Sequence, residues 1–222
     1  MAVLHFAYRF DPVPLFSGLR ECFSADGAVV HSALHHRAAL ALRDMPTAGQ
    51  EALIALRYGD TWLCDDDDEA DLEEKWWMLC LMHHFCAVPS LGREGMAHHV
   101  ILKAVLPGLG VIEDEVKTLV SGYDLKTLIA QAPYDIAPDA LPGLGDFGGW
   151  LSVAQIEKIK DRLASVEMPF THPSSDQRDV LAKIYLPWAE NAEHVCRDAF
   201  DAAMAMLDGA LEHQNALFLV LD

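Results

Sequence analysis

The sequence predicts an α+β fold: predominantly helical, with a small sheet containing the N-terminal and C-terminal strands. Three observations carry this. AVLHFAYRF (2–10) and NALFLVLD (215–222) are short and apolar, in the manner of buried strands. The periodic segments between them repeat every three to four residues, as amphipathic helices do. With 222 residues, 52% of them hydrophobic, the chain can bury a sizeable core.

The elements follow in order. The first strand stops at Asp11-Pro12, and VPLFSGLRECF (13–23) reads as a short helix. Gly27 precedes a helix from about Val29 to Asp44, which ends before Pro46 because proline pushes its predecessor out of the helical region. Thr47 and Gln50 have capping-box spacing, and the helix they open runs to about Tyr58. Asp65 to Asp68 start the next helix, since carboxylates in a first turn are favoured by the helix dipole. That helix runs to about Ala87. Trp76, Trp77, Leu79, Cys80 and Phe85 leave it little polar face, so it should be central.

Helices are then expected over about 93–106, 113–120 and 125–131. The Pro/Gly-rich stretch 132–149 reads as a loop, and is the one candidate internal boundary in a single domain spanning 1–222. Ser152 and Gln155 form a second capping box, opening a helix with Val153, Ile156, Ile159 and Leu163 on one face. After a loop at 167–176, a long helical segment runs to about His213, interrupted at Pro187. Its stripe is Ala192, Val195, Ala199, Ala203, Met206 and Ala210.

The order of the pieces is a first strand, DLEEKWWMLCLMHHF (71–85), GWLSVAQIEKIKDRLASV (149–166), a long helix, and NALFLVLD. In this the chain resembles the YfbM-like bacterial family of unknown function. Members of that family have a first strand, an acid-Lys-Trp helix in the middle, a late helix starting near Leu-Ser or Leu-Thr, and a long helix into an apolar last strand. The likeness lies in scattered blocks, and the helical material around 29–58 and 89–131 is additional. The resemblance implies an α+β fold. It brings no catalytic residues, because the family has no established activity.

Charge is the strongest global signal. The formal net charge is −18, and residues 61–75 hold eight acids against one base. Such a surface repels nucleic acid and anionic lipid and attracts basic proteins. The start of the chain lacks the basic, long-apolar and small-residue regions of a signal peptide. The longest apolar run, 76–88, is shorter than the ~20 residues a membrane span needs. Five cysteines without a CxxC pair read as reduced, buried thiols. A cytoplasmic location is the expectation.

Catalytic motifs are absent. There is no GxSxG, GxxxxGK[ST], CxxC or HExxH. Gly143 to Gly148 matches GxGxxG, but a Pro-rich loop rather than a strand precedes it, so these read as loop glycines. Adjacent histidines on a helix point about 100° apart, so i,i+4 spacing is the better geometry for chelation. His31 and His35 have that spacing, as do Cys80 and His84, Glu94 and His98, and Glu190 and His194.

Two functional hypotheses follow, from different classes. The first is an acidic protein-binding module with no cofactor, in concrete form an immunity- or antitoxin-like inhibitor that occludes the active site of a basic toxin. Asp65, Asp66, Asp67, Asp68, Glu69 and Asp71 would steer and dock, and Trp62 would anchor. The bland reading of the same run is a solvated helix start. The second is a zinc-dependent hydrolase using His31, His35, Cys80, His84 and His98, which mixes imidazole and thiolate ligands in a way that suits zinc. Core packing and helix-surface positions are the competing reading of those five.

Overall fold

The computed structural model of the chain describes residues 5–44, 98–137, 140, 148–166, 179 and 192–221. The fold is α+β and mostly helical, built on a four-stranded antiparallel sheet. The strands are β1 (His5–Phe10), β2 (Tyr123–Asp124), β3 (Gly149–Leu151) and β4 (Ala216–Leu221), in the order β1-β4-β3-β2. The first and last strands are neighbours, with His5 opposite Leu221 and Phe10 opposite Ala216. On the other edge of β4, Trp150 lies opposite Phe218 and Leu151 opposite Leu217.

Side chains alternate across a strand, so this register sorts the core into two halves. Phe10, Trp150, Ala216 and Phe218 face one way. They pack with α1 (Pro12–Leu19), α2 (His31–Asp44) and α5 (Leu125–Ile129) through Leu15, Leu34 and Leu128. Ala7, Leu151, Leu217 and Leu219 face the other way. They pack with α3 (His98–Val105), α4 (Glu113–Ser121), α6 (Val153–Ala164) and α7 (Ala192–Glu212). An antiparallel sheet usually leaves one face to solvent and then alternates apolar with polar. Here both faces are covered, which is why ALFLVL carries no polar residue. No described helix is long and apolar enough to cross a membrane.

Local chemistry sets the element ends. The Asp11 carboxylate accepts the Val13 N–H at 2.9 Å, and Pro12 fits the first helical position of α1, where its missing N–H costs nothing. α2 starts at His31 rather than Val29, because Val29 pairs with Phe23 across a tight turn and Val30 N–H donates to Cys22 at 2.8 Å. The expected capping box opens α6: Ser152 N–H donates to Gln155 Oε1 at 2.7 Å, and Gln155 N–H to Ser152 Oγ. At the end of α7, Asn215 N–H reaches back to Ala210 O while Gln214 takes a left-handed conformation (φ 52°). Arg9 of β1 donates to Gly209 O at 2.9 Å, placing a cation on the negative end of the α7 dipole. The chain therefore leaves α7 and enters β4 with no loop to spare.

Two strands depart from the sequence reading. The gap between the helices expected at 113–120 and 125–131, and the end of the 132–149 loop with the residues after it, pair instead, with Tyr123 opposite Trp150 and Asp124 opposite Gly149. Glycine makes this possible. A Cβ on Gly149 would sit 1.7 Å from Ser121 O, and one on Gly122 (φ 67°) would sit 2.5 Å from Trp150 N. Glycine at 122 and 149 lets the backbone before β2 approach β3 this closely. The expected helices at 47–58 and 65–87, residues 93–97, and the long segment before Ala192, apart from Asp179, lie outside the described residues.

Gly149→Ala should therefore cost roughly 3 kcal/mol or more in urea unfolding, because rigid backbone must move. Gly110→Ala is the control. Gly110 also has positive φ (84°) but nothing lies within 4 Å of a Cβ there, so its cost should be about 1 kcal/mol.

Candidate interaction surface

The structure separates part of the proposed ligand set. His31 (exposed) and His35 (half-buried) lie on the first turns of α2, whose buried Leu34, Ala38 and Ala41 face the Trp150–Phe218 side of the sheet. His98 opens α3, which buries Ile101, Leu102 and Val105 on the opposite side. The sheet thus stands between His31 and His35 on one hand and His98 on the other. Cys80 and His84 lie outside the described residues, as do Trp62 and the acidic run. Among the described residues no three His, Cys, Asp or Glu side chains gather in a way that could hold a metal ion. His194, spaced four from Glu190, lies 3.4 Å from Asp198 one turn on. Gly148, the last glycine of the GxGxxG match, lies where a Cβ would meet Leu219 O at 2.6 Å, so its place is against the sheet.

The described residues form a groove that the sequence does not announce. It runs between α4 and α6 and has a volume of about 200 Å³. The two helices are antiparallel: the β2–β3 pairing joins the end of α4 to the start of α6, and Arg162 near the end of α6 returns to Glu115 in the first turn of α4. Arg162 Nε donates to Glu115 at 3.2 Å, and its Nη2 donates to Gly110 O, which closes one end of the groove. The floor is apolar, made by Val111, Leu119, Ile159 and Leu163, all buried. The walls differ in sign. Asp114 and Glu115 line the α4 side, and Lys158 and Arg162 line the α6 side.

Two large apolar side chains stand at the ends of this groove, Ile112 at 59% exposure and Tyr123 at 43%. Ile112 occupies the N-cap position of α4 and makes no side-chain cap hydrogen bond. Ser, Thr, Asp or Asn there would stabilise the helix by about 1 kcal/mol relative to an aliphatic residue. The dipole of α4 is served instead by Glu113, Asp114 and Glu115 in its first turn. The isoleucine thus sits where helix stability does not call for it. That mismatch is the signal in VIEDE (111–115) by which the sequence marks the site.

The other side of the sheet holds a hydrogen-bonded cluster, whose Thr127 and Tyr134 line a cavity of about 590 Å³. Trp150 Nε1 donates to Thr127 Oγ1 at 2.8 Å, and Tyr134 Oη donates to Phe16 O at 2.8 Å. Arg20 stacks over the Tyr134 ring, 5.8 Å from its centroid. Burial pushes the Tyr134 phenol up to about 12, with the nearby Cys22 adding and Arg20 opposing. Burial also pushes the Cys22 thiol up to about 11, against the pull of Arg37, and the Cys196 thiol to about 11 on the far side of the sheet. Both thiols are free and buried. They are packing groups, held well away from the thiolate form that nucleophilic chemistry needs.

No protein-family model, curated protein or solved structure matches the chain.

The raised thiol and phenol values fix a direction for alkaline pH. A group held protonated by folding contributes stability that is whole below its unfolded pKa and lost as pH rises through the folded value. Unfolding midpoints in urea should therefore fall between about pH 9 and 11, where the unfolded thiols ionise and the buried ones do not. The Cys22→Ala/Cys196→Ala variant should show a shallower fall over that window. Equal slopes would contradict the assignment.

Proposed function

We propose that the chain is an acidic protein-binding module whose partner is a basic protein. In its concrete form it is an immunity- or antitoxin-like inhibitor that covers the active site of a basic toxin or enzyme. One observation carries this reading: eight carboxylates fall within the ten residues Asp65–Glu74, in a chain of net charge −18. Charge at this density raises the rate at which a basic partner arrives, and it rejects acidic competitors. The outer face of α7 adds exposed Asp198, Asp201 and Glu212 to the same sign of field. Trp62, just before the run, is the kind of residue that anchors an interface once charge has brought the partners together.

The test starts from a pull-down with the full chain as bait and measures binding kinetics with the basic protein it captures. Replacing Asp65, Asp66, Asp67 and Asp68 by Asn should slow association by roughly tenfold or more at low salt, with a weaker effect on dissociation. Binding of the parent protein should weaken as salt rises, and the partner's activity should be suppressed at a one-to-one ratio. Equal affinity of the Asn variant, or salt-independent binding, would overturn the proposal.

A further inference from the structure

The groove between α4 and α6 has a pattern that fits a particular occupant. Its α4 wall is acidic, its α6 wall is basic, and its floor is apolar. Net charge over Asp114, Glu115, Lys158 and Arg162 is zero, in a chain whose net charge is −18. A partner of uniform sign would meet one favourable wall and one unfavourable wall. A second copy of this chain meets neither problem at the groove itself, although two chains of net charge −18 repel at long range and should associate more readily as salt rises. Two copies related by a two-fold axis that runs along the groove place each α4 above the other copy's α6. Acid then faces base on both sides at once. An axis across the groove would set acid on acid and base on base. The groove is therefore self-complementary about one axis and not the other, and that is the ground for taking a second copy as its occupant.

We propose that this groove is the contact surface of a homodimer, with Ile112 and Tyr123 as its apolar anchors. Ile112 gives up helix capping at its position and exposes more than half of its surface, a cost that a buried contact would offset. Tyr123 has one apolar ring and a hydroxyl for the wet edge, which suits the rim of such a contact. Glu115 and Arg162 already hold each other within one copy. Asp114 and Lys158 have no ion pair with a described residue, and these are the charges that a second copy would meet. α4 and α6 are about 14 and 18 Å long at 1.5 Å per residue. A face of that size is smaller than a standard specific interface, so association belongs in the weak, tens-of-micromolar range.

Sedimentation velocity on the full chain tests this. The parent protein should dimerise with a Kd of roughly 10–100 μM. Ile112→Ser should weaken the dimer by about tenfold or more while raising the thermal midpoint of the monomer, because serine caps the helix that isoleucine does not. That opposite movement separates a lost contact from a damaged fold. Lys158→Glu and Asp114→Lys should each weaken the dimer by about tenfold, and Lys158→Glu/Asp114→Lys together should restore it to within about threefold. A parent protein that stays monomeric to about 200 μM, a dimer indifferent to Ile112→Ser, or a charge-exchanged double variant that stays monomeric would each overturn the proposal.

Discussion

Everything described in this fold depends on β4. It is the longer of the two inner strands, hydrogen-bonded to β1 on one edge and β3 on the other, and Ala216 to Leu219 are buried on both faces. The helices on each side share it as a floor: Phe218 serves α1, α2 and α5, and Leu217 and Leu219 serve α3, α4, α6 and α7. Its entry is fixed by the turn at Gln214 and by the grip of Arg9 on Gly209 O. A strand in this position has no freedom to slip. A one-residue shift would exchange Phe218 for Leu217 across the sheet and put every side chain against the wrong helices.

That same strand explains what the sequence made legible. ALFLVL is apolar without alternation, and together with the aromatic first strand it predicted a shared small sheet. The stripes Ile156, Ile159, Leu163 and Ala199, Ala203, Ala210 predicted α6 and α7, because helices that pack on a flat floor keep strict periodicity. β2 and β3 were not legible. Strands of two and three residues have no period to detect, and the glycines that bring them together also mark loops. Ser152-Gln155 was legible because capping is local chemistry, whereas the burial of Trp150 beside Phe218 is set by residues far along the chain.

The candidate surfaces divide in the same way. The acidic run is visible in the sequence because charge density needs no fold to be read. The α4–α6 groove was not visible, since it arises only when Val111, Leu119, Ile159 and Leu163 meet across two helices. Ile112 at a capping position is its one local trace in the sequence. The His31, His35 and His98 group shows the opposite case. The spacing within α2 is suitable for chelation, but the fold puts β4 and its neighbours between that helix and α3. Long-range topology, which sequence spacing does not report, decides which helices share a side of the sheet.

A fold organised around β4 makes this strand the last element to come apart, and native-state hydrogen exchange tests that most directly. Amides of Leu217, Phe218 and Leu219, flanked on both edges, should exchange only through global unfolding. Their opening free energies should equal that measured in urea, while amides of α5 and β2 should open at lower cost. Exchange of the β4 amides by local fluctuation, ahead of those in α6 or α7, would contradict a fold organised around this strand.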